Sequence, residues 1–139
     1  MLRGVALLSE VSTEVLAELA ALSVVEDHPA NTVLFVEREP ADAFYVLIEG
    51  AVIAGRRGVE VFQASPGEEF GALAVLDERP RAFTATTTEP SKVMRIGAED
   101  FLYLLEQHPR LARGVIRHLA REVRSSIAGK GRYSAGNVD

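Results

Sequence analysis

The spacing of apolar positions changes three times along this chain. Near the N-terminus Leu8, Val11, Val15, Leu16 and Leu19 recur at helical intervals and Ser12 or Thr13 stands ready to cap, which predicts a short amphipathic helix over 13–21. From residue 24 to 96 the texture becomes short runs of Val, Ile, Phe and Thr, the pattern of an all-β sandwich or barrel. Eight strands are predicted, over 24–27, 33–37, 44–49, 51–54, 59–63, 69–70, 81–87 and 92–96, and the Pro and Gly residues between 29 and 90 fall between them. Gly50 suits a hairpin position with positive φ. Residues 44–48 are apolar on both alternate faces, as in a strand covered on each side, whereas Thr84, Thr86 and Thr88 give the later strand a wetter face.

After Gly97 the helical period returns. Phe101, Leu102, Leu104 and Leu105 predict a short helix ending before Pro109. Leu111, Val115, Leu119 and Val123, with Ile116 beside them, predict a long amphipathic helix from 110 to about 126, whose other face carries Arg113, Arg117, Arg121 and Arg124. The expected architecture is therefore mainly β with flanking helices: an eight-stranded β-sandwich jelly roll, or double-stranded β-helix, with an N-terminal helix and C-terminal helices. Residues 1–126 form the domain, and 127–139 read as a flexible tail.

A length of 139 residues fits one core, and 47% hydrophobic with 25% charged residues is an ordinary globular balance. The absence of cysteine excludes disulfides and thiolate zinc sites and agrees with a reducing, cytoplasmic setting. The N-terminal apolar run, Val5 to Leu8, is too short for a signal peptide or a membrane span, so no membrane insertion is expected. Charge is uneven: residues 1–109 carry 8 Lys/Arg against 18 Asp/Glu, net −10, and 110–139 carry 7 against 2, net +5.

The informative stretch for chemistry runs from Pro66 to Thr84. Between two strand-like pieces lies one apolar turn, residues 72–76, opened by Gly71 and too short to stand as a free helix. Backbone N–H groups at such a helix start, with an arginine on the following strand gripping two oxygens, make an anion site. Arg81, held by Pro80 and flanked by small Ala82, is placed for that. Read without this context, Arg81 is a cross-strand arginine satisfied by Asp77 or Glu78.

The segment Phe70-Gly71-Ala72-Leu73-Ala74-Val75, followed after a spacer by Pro80-Arg81-Ala82-Phe83-Thr84, resembles the phosphate-binding cassette of the cyclic nucleotide-binding domain family. The common form of that cassette is Phe-Gly-Glu-Leu-Ala-Leu, a short spacer, then Pro-Arg-Ala-Ala-Thr. Register holds without a gap over residues 70–84, and the likeness extends to residues 29–35, to residues 43–50 and to the closing helices. The resemblance implies a ligand site at Phe70, Gly71, Ala72, Leu73, Ala74, Arg81, Ala82 and Phe83, with Arg81 on the phosphate. In members that bind cAMP the residue after the cassette glycine is a glutamate accepting a hydrogen bond from the ribose 2′-OH. Here it is Ala72. Losing such a bond costs about 1.5 to 3 kcal/mol, roughly ten- to a hundredfold in affinity. Ala82 is similar to cAMP-type sites, since cGMP-type sites more often place threonine there. Phe83 stands where the family has a small alanine, and either crowds the pocket or fills the core.

Other chemistry finds little support. His28, His108 and His118 lack metal-ligand spacing, so no metal site is expected. Neither a Gly-x-Ser-x-Gly elbow nor a Gly-x-x-x-x-Gly-Lys loop occurs, and no enzyme is read. The arginine face of the last helix is interrupted by Glu122 and reads as solvated. About a dozen residues follow that helix, too few for a helix-turn-helix, so direct DNA binding is not expected. The expected function is cyclic nucleotide sensing, cAMP first, with no cofactor and with relay through the C-terminal helix, which also offers a homodimer surface toward an unspecified effector. The alternative is a domain of the same fold that has lost its ligand and acts as a protein-interaction module.

Overall fold

Ser12 caps the first helix: its hydroxyl accepts the Val15 N–H at 3.4 Å, and α1 spans Thr13–Leu22. The fold is that of a computed structural model describing residues 5–9 and 11–129. Among the described residues a 3-10 turn, Ala6–Leu8, precedes α1. Leu8 and Val11, counted above in the helical stripe, therefore lie before the helix. The strands are β1 (Val24–His28), β2 (Val33–Phe35), β3 (Ala43–Glu49), β4 (Val52–Arg56), β5 (Val59–Ala64), β6 (Glu69–Phe70), β7 (Thr84–Thr87) and β8 (Ser91–Gly97). Between β6 and β7 sits the one-turn helix α2 (Ala72–Leu76), and α3 (Ala98–Gln107) and α4 (Pro109–Ile127) close the domain.

All strand pairs are antiparallel, in two four-stranded sheets ordered β1-β8-β3-β6 and β2-β7-β4-β5. This is the expected jelly roll. Strand β3 shows why its sequence is apolar on both sides. Tyr45 and Leu47 enter a cluster between the sheets with Phe35, Val52, Phe70, Phe83 and Val93. Phe44 and Val46 point the other way, into a second cluster with Leu19 of α1, Val75 of α2, Phe101 of α3 and Leu111 and Val115 of α4. Burial of each such side chain contributes about 1.5 to 3 kcal/mol. At the β3–β4 turn Gly50 has φ 102°, and a Cβ there would lie 2.7 Å from the Pro90 carbonyl oxygen, so the turn needs glycine. Strand β7 buries Ala85 and Thr87 and leaves Thr84 and Thr86 partly wet, as expected.

Two expectations are corrected. The seventh strand begins at Thr84 and not at Arg81, because the Arg81 backbone is tied to the 38–39 loop. Its N–H donates to the Glu39 carbonyl and its own carbonyl accepts the Arg38 N–H, both at 2.8 Å. The second correction concerns α4. Leu111 and Val115 are buried and Leu119 is half-buried, but Val123 is 59% exposed, as are Ile116 (65%) and Ile127 (83%). Each i, i+4 step on a helix advances by about 40°, so three steps carry Val123 away from the core. Leu111, Gly114, Val115, His118 and Glu122 share the inward side, while Ala112, Ile116, Leu119, Val123 and Ile127 form a second apolar side next to it. Helix α4 includes Ile127, and the expected tail falls mostly on residues 130–139, outside the described residues. Among the described residues no helix is long and apolar enough to cross a membrane, and no group of three or more metal-ligating side chains occurs.

Candidate ligand site

Gly71 sets the geometry at the start of α2. It follows Phe70 of β6, takes φ 87° and forms the N-cap of α2 without any side chain to cover the first-turn N–H groups. A Cβ there would lie 2.8 Å from Arg81 Nη1 and 3.2 Å from the Phe35 ring. Glycine therefore permits both the turn and the close approach of Arg81 and Phe35.

Among the described residues Arg81 is the buried charged side chain, with 2% exposure. Its Nη1 donates to the Gly71 carbonyl at 3.0 Å and its Nη2 to the Ala43 carbonyl, so one guanidinium ties the cassette to the start of β3. Asp42 Oδ1 lies 3.5 Å from Nη2, and Asp42 Oδ2 lies 3.1 Å from Arg95 on β8. The acidic neighbour is thus Asp42, and not Asp77 or Glu78 as in the alternative reading of Arg81. Asp77 instead accepts the Arg79 N–H, at 3.2 Å. Asp42 is 74% exposed, so its attraction is weakened by water. Burial pulls Arg81 below the ordinary guanidinium value, opposed by Tyr45 and Asp42, and the group stays cationic. Its Nε is buried without a hydrogen-bond partner. The guanidinium carbon stands 3.9 Å from the centre of the Phe35 ring, a cation–π contact.

The other expected site residues fall into three groups. Phe70 and Phe83 join Phe35 between the sheets, with Phe35–Phe83 ring centres 5.5 Å apart and Phe35–Phe70 6.2 Å. Ala72 and Ala74 are buried, and Ala72 packs into the helix-side cluster with Val75. Leu73 is half-buried, and Ala82 points outward. A cavity of about 340 Å³ separates α2 from α4, lined by Ala72, Leu73 and Leu76 on one side and His118, Leu119 and Glu122 on the other. Phe35, Asp42 and Ala43 were not picked out from sequence. The available signal was an acid, Asp42, at the loop-to-strand step of the segment 43–50. A cationic fork beside open helix N–H groups can hold an anionic oxygen pair.

Residues 25–108 match the model of the cyclic nucleotide-binding domain. The chain belongs to the cyclic nucleotide-binding domain family. It is 33% identical over 130 residues to an NTE family protein of Mycobacterium tuberculosis, covering 93% of this chain and 22% of that protein. It is 37% identical over 107 residues to the cAMP-dependent protein kinase regulatory subunit of Aspergillus niger, covering 75% and 26% respectively. Among solved structures, the N-terminal domain of a transcriptional regulator from Streptomyces coelicolor superposes with a TM-score of 0.78 at 29% identity, over 94% of this chain and 96% of that one. The chain thus spans about a quarter of the length of these curated relatives. In this cyclic nucleotide-binding domain Gly71 stands at the N-cap of α2, and its carbonyl accepts from Arg81 Nη1.

Proposed function

We propose that this domain senses a cyclic nucleotide, cAMP first, with the phosphate on Arg81 and on backbone N–H groups of Ala72 to Ala74 and Ala82. The observation that carries this reading is the buried, cationic Arg81, joined to Gly71 at the open end of α2 and holding an unpartnered Nε. The name of the Aspergillus niger relative supports cAMP as the first ligand to test. Occupancy of the cassette would act on α4 through the cavity that Leu73, Leu76 and Leu119 share, provided that ligand favours one position of α4 over another. The exposed side of α4, with Ile116, Val123 and Ile127, then serves as the output surface, toward a second copy or an effector.

The test is calorimetric titration with cAMP and cGMP. Saturable binding of cAMP supports the reading, and heat indistinguishable from dilution for both nucleotides overturns it. The second reading, an interaction module without ligand, is favoured by Ala72 and by the 2% exposure of Arg81.

Ala72 also yields a quantitative expectation. Ala72→Glu restores one charge-assisted bond to a ribose hydroxyl and is expected to tighten cAMP binding roughly tenfold or more. The gain should be smaller for 2′-deoxy-cAMP. Equal gains for the two ligands would assign the effect to something other than the 2′-hydroxyl.

A further inference from the structure

One aromatic ring, Phe35, lies on Arg81, and a second, Phe83, packs against Phe35. Along the segment leading into β7 the side chains alternate: Arg81, Phe83 and Ala85 are buried, while Ala82 is exposed and Thr84 is half-buried. Arg81 and Phe83 both meet Phe35 and so face the same interior. The Phe35 ring centre lies 3.9 Å from the guanidinium carbon, the Phe83 ring packs against Phe35 with centres 5.5 Å apart, and Phe62 of β5 meets Phe83 edge-on with centres 5.0 Å apart. Phe62 is only partly buried, and β5 is an edge strand paired to β4 alone. The series Arg81, Phe35, Phe83, Phe62 thus runs from the buried charge to the rim of the roll. Phe83 itself is 6% exposed.

We propose that Phe83 is a plug built into the roll: its ring holds Phe35 over Arg81 and fills the space that a ligand anchored on Arg81 needs, so that ligand enters only when Phe83 swings away. The proposal rests on the reading of Arg81 as the phosphate anchor. It adds a residue that sets affinity and gates entry. An anion reaches this guanidinium, 2% exposed, when Phe35, the ring lying on it, gives way, and Phe83 is the ring that packs against both Phe35 and Phe62. Apparent affinity then falls by the fraction of molecules with the plug out. A site open in roughly a tenth of molecules binds about tenfold more weakly than its open form.

The experiment is titration of the wild type, Phe83→Ala and Phe83→Leu with cAMP, each checked for a cooperative thermal transition. Phe83→Leu is the smaller change and keeps the test alive if the alanine variant does not fold. Stopped-flow association accompanies the titrations. Phe83→Ala should bind roughly tenfold tighter, with Phe83→Leu between it and the wild type. The observed association rate should level off with cAMP concentration in the wild type and rise linearly in Phe83→Ala. Tighter binding should vanish when Arg81→Ala is added. Cooperatively folding variants that bind no tighter than a wild type that does bind overturn the plug and leave the cassette reading standing. Binding by the variants alone establishes the plug and removes nucleotide sensing by the native chain. No binding by any of the three overturns both.

Discussion

Arg81→Ala is expected to remove measurable cAMP binding. Two charge-assisted bonds from a guanidinium to a phosphate contribute about 1.5 to 3 kcal/mol each, so their loss weakens binding by a hundredfold or more. The same change strips the Gly71 and Ala43 carbonyls of their donor and lowers stability, by about 1 to 3 kcal/mol for each carbonyl left buried. A thermal melt recorded beside the titration separates the two effects. Arg81→Lys sharpens the point. Lysine keeps the charge, but a single ammonium lacks the planar fork that meets two acceptors at once. It should recover part of the stability and little of the affinity. Titration of Arg81→Ala with the affinity of the parent would show that the phosphate sits elsewhere.

How far this site was legible in sequence depended on whether the signal was local. Gly71, the apolar turn at 72–76 and Pro80 lie close together along the chain, and each marks a backbone requirement, so the one-turn helix opened by Gly71 could be read directly. The same holds for β3, whose apolar residues on both faces declared two buried sides. What escaped was set by contacts between distant segments. Apart from Gly71, the polar partners of the Arg81 side chain lie 38 positions away at Ala43 and at the neighbouring Asp42, while Asp77 and Glu78 are nearer in sequence. The strand start slipped for the same reason, since loop 38–39 holds the Arg81 backbone in place of a strand partner. Phe83 is instructive in another way. Its departure from a small residue was visible, but whether it crowded a pocket or filled a core depended on Phe35 and Phe62, both remote in sequence.

Helix α4 provides the second large effect, because its apolar residues divide into two sides with different tasks. Val115 is 3% exposed and packs in one cluster with Val75 of α2 and Phe101 of α3, whereas Val123 is 59% exposed. Glutamate at position 115 buries an unpaired carboxylate among apolar side chains and removes a packed valine. A loss of several kcal/mol is expected, a large part of the roughly 5 to 15 kcal/mol that holds a domain together. Val115→Glu should therefore be unfolded, or melt far below the parent. Val123→Glu should melt within about 0.5 kcal/mol of the parent, as an exposed substitution does. Its effect should appear in self-association. Ile116, Val123 and Ile127 are each more than half exposed, and apolar area removed from water contributes about 25 cal/mol per Å², so pairing of this side between two copies is favourable. Sedimentation of the parent over a range of concentrations should show a dimer, and Val123→Glu should remain monomeric. A parent that stays monomeric at every concentration would assign this side of α4 to a different partner. A Val123→Glu dimer as strong as the parent's would place the pairing surface elsewhere on the domain.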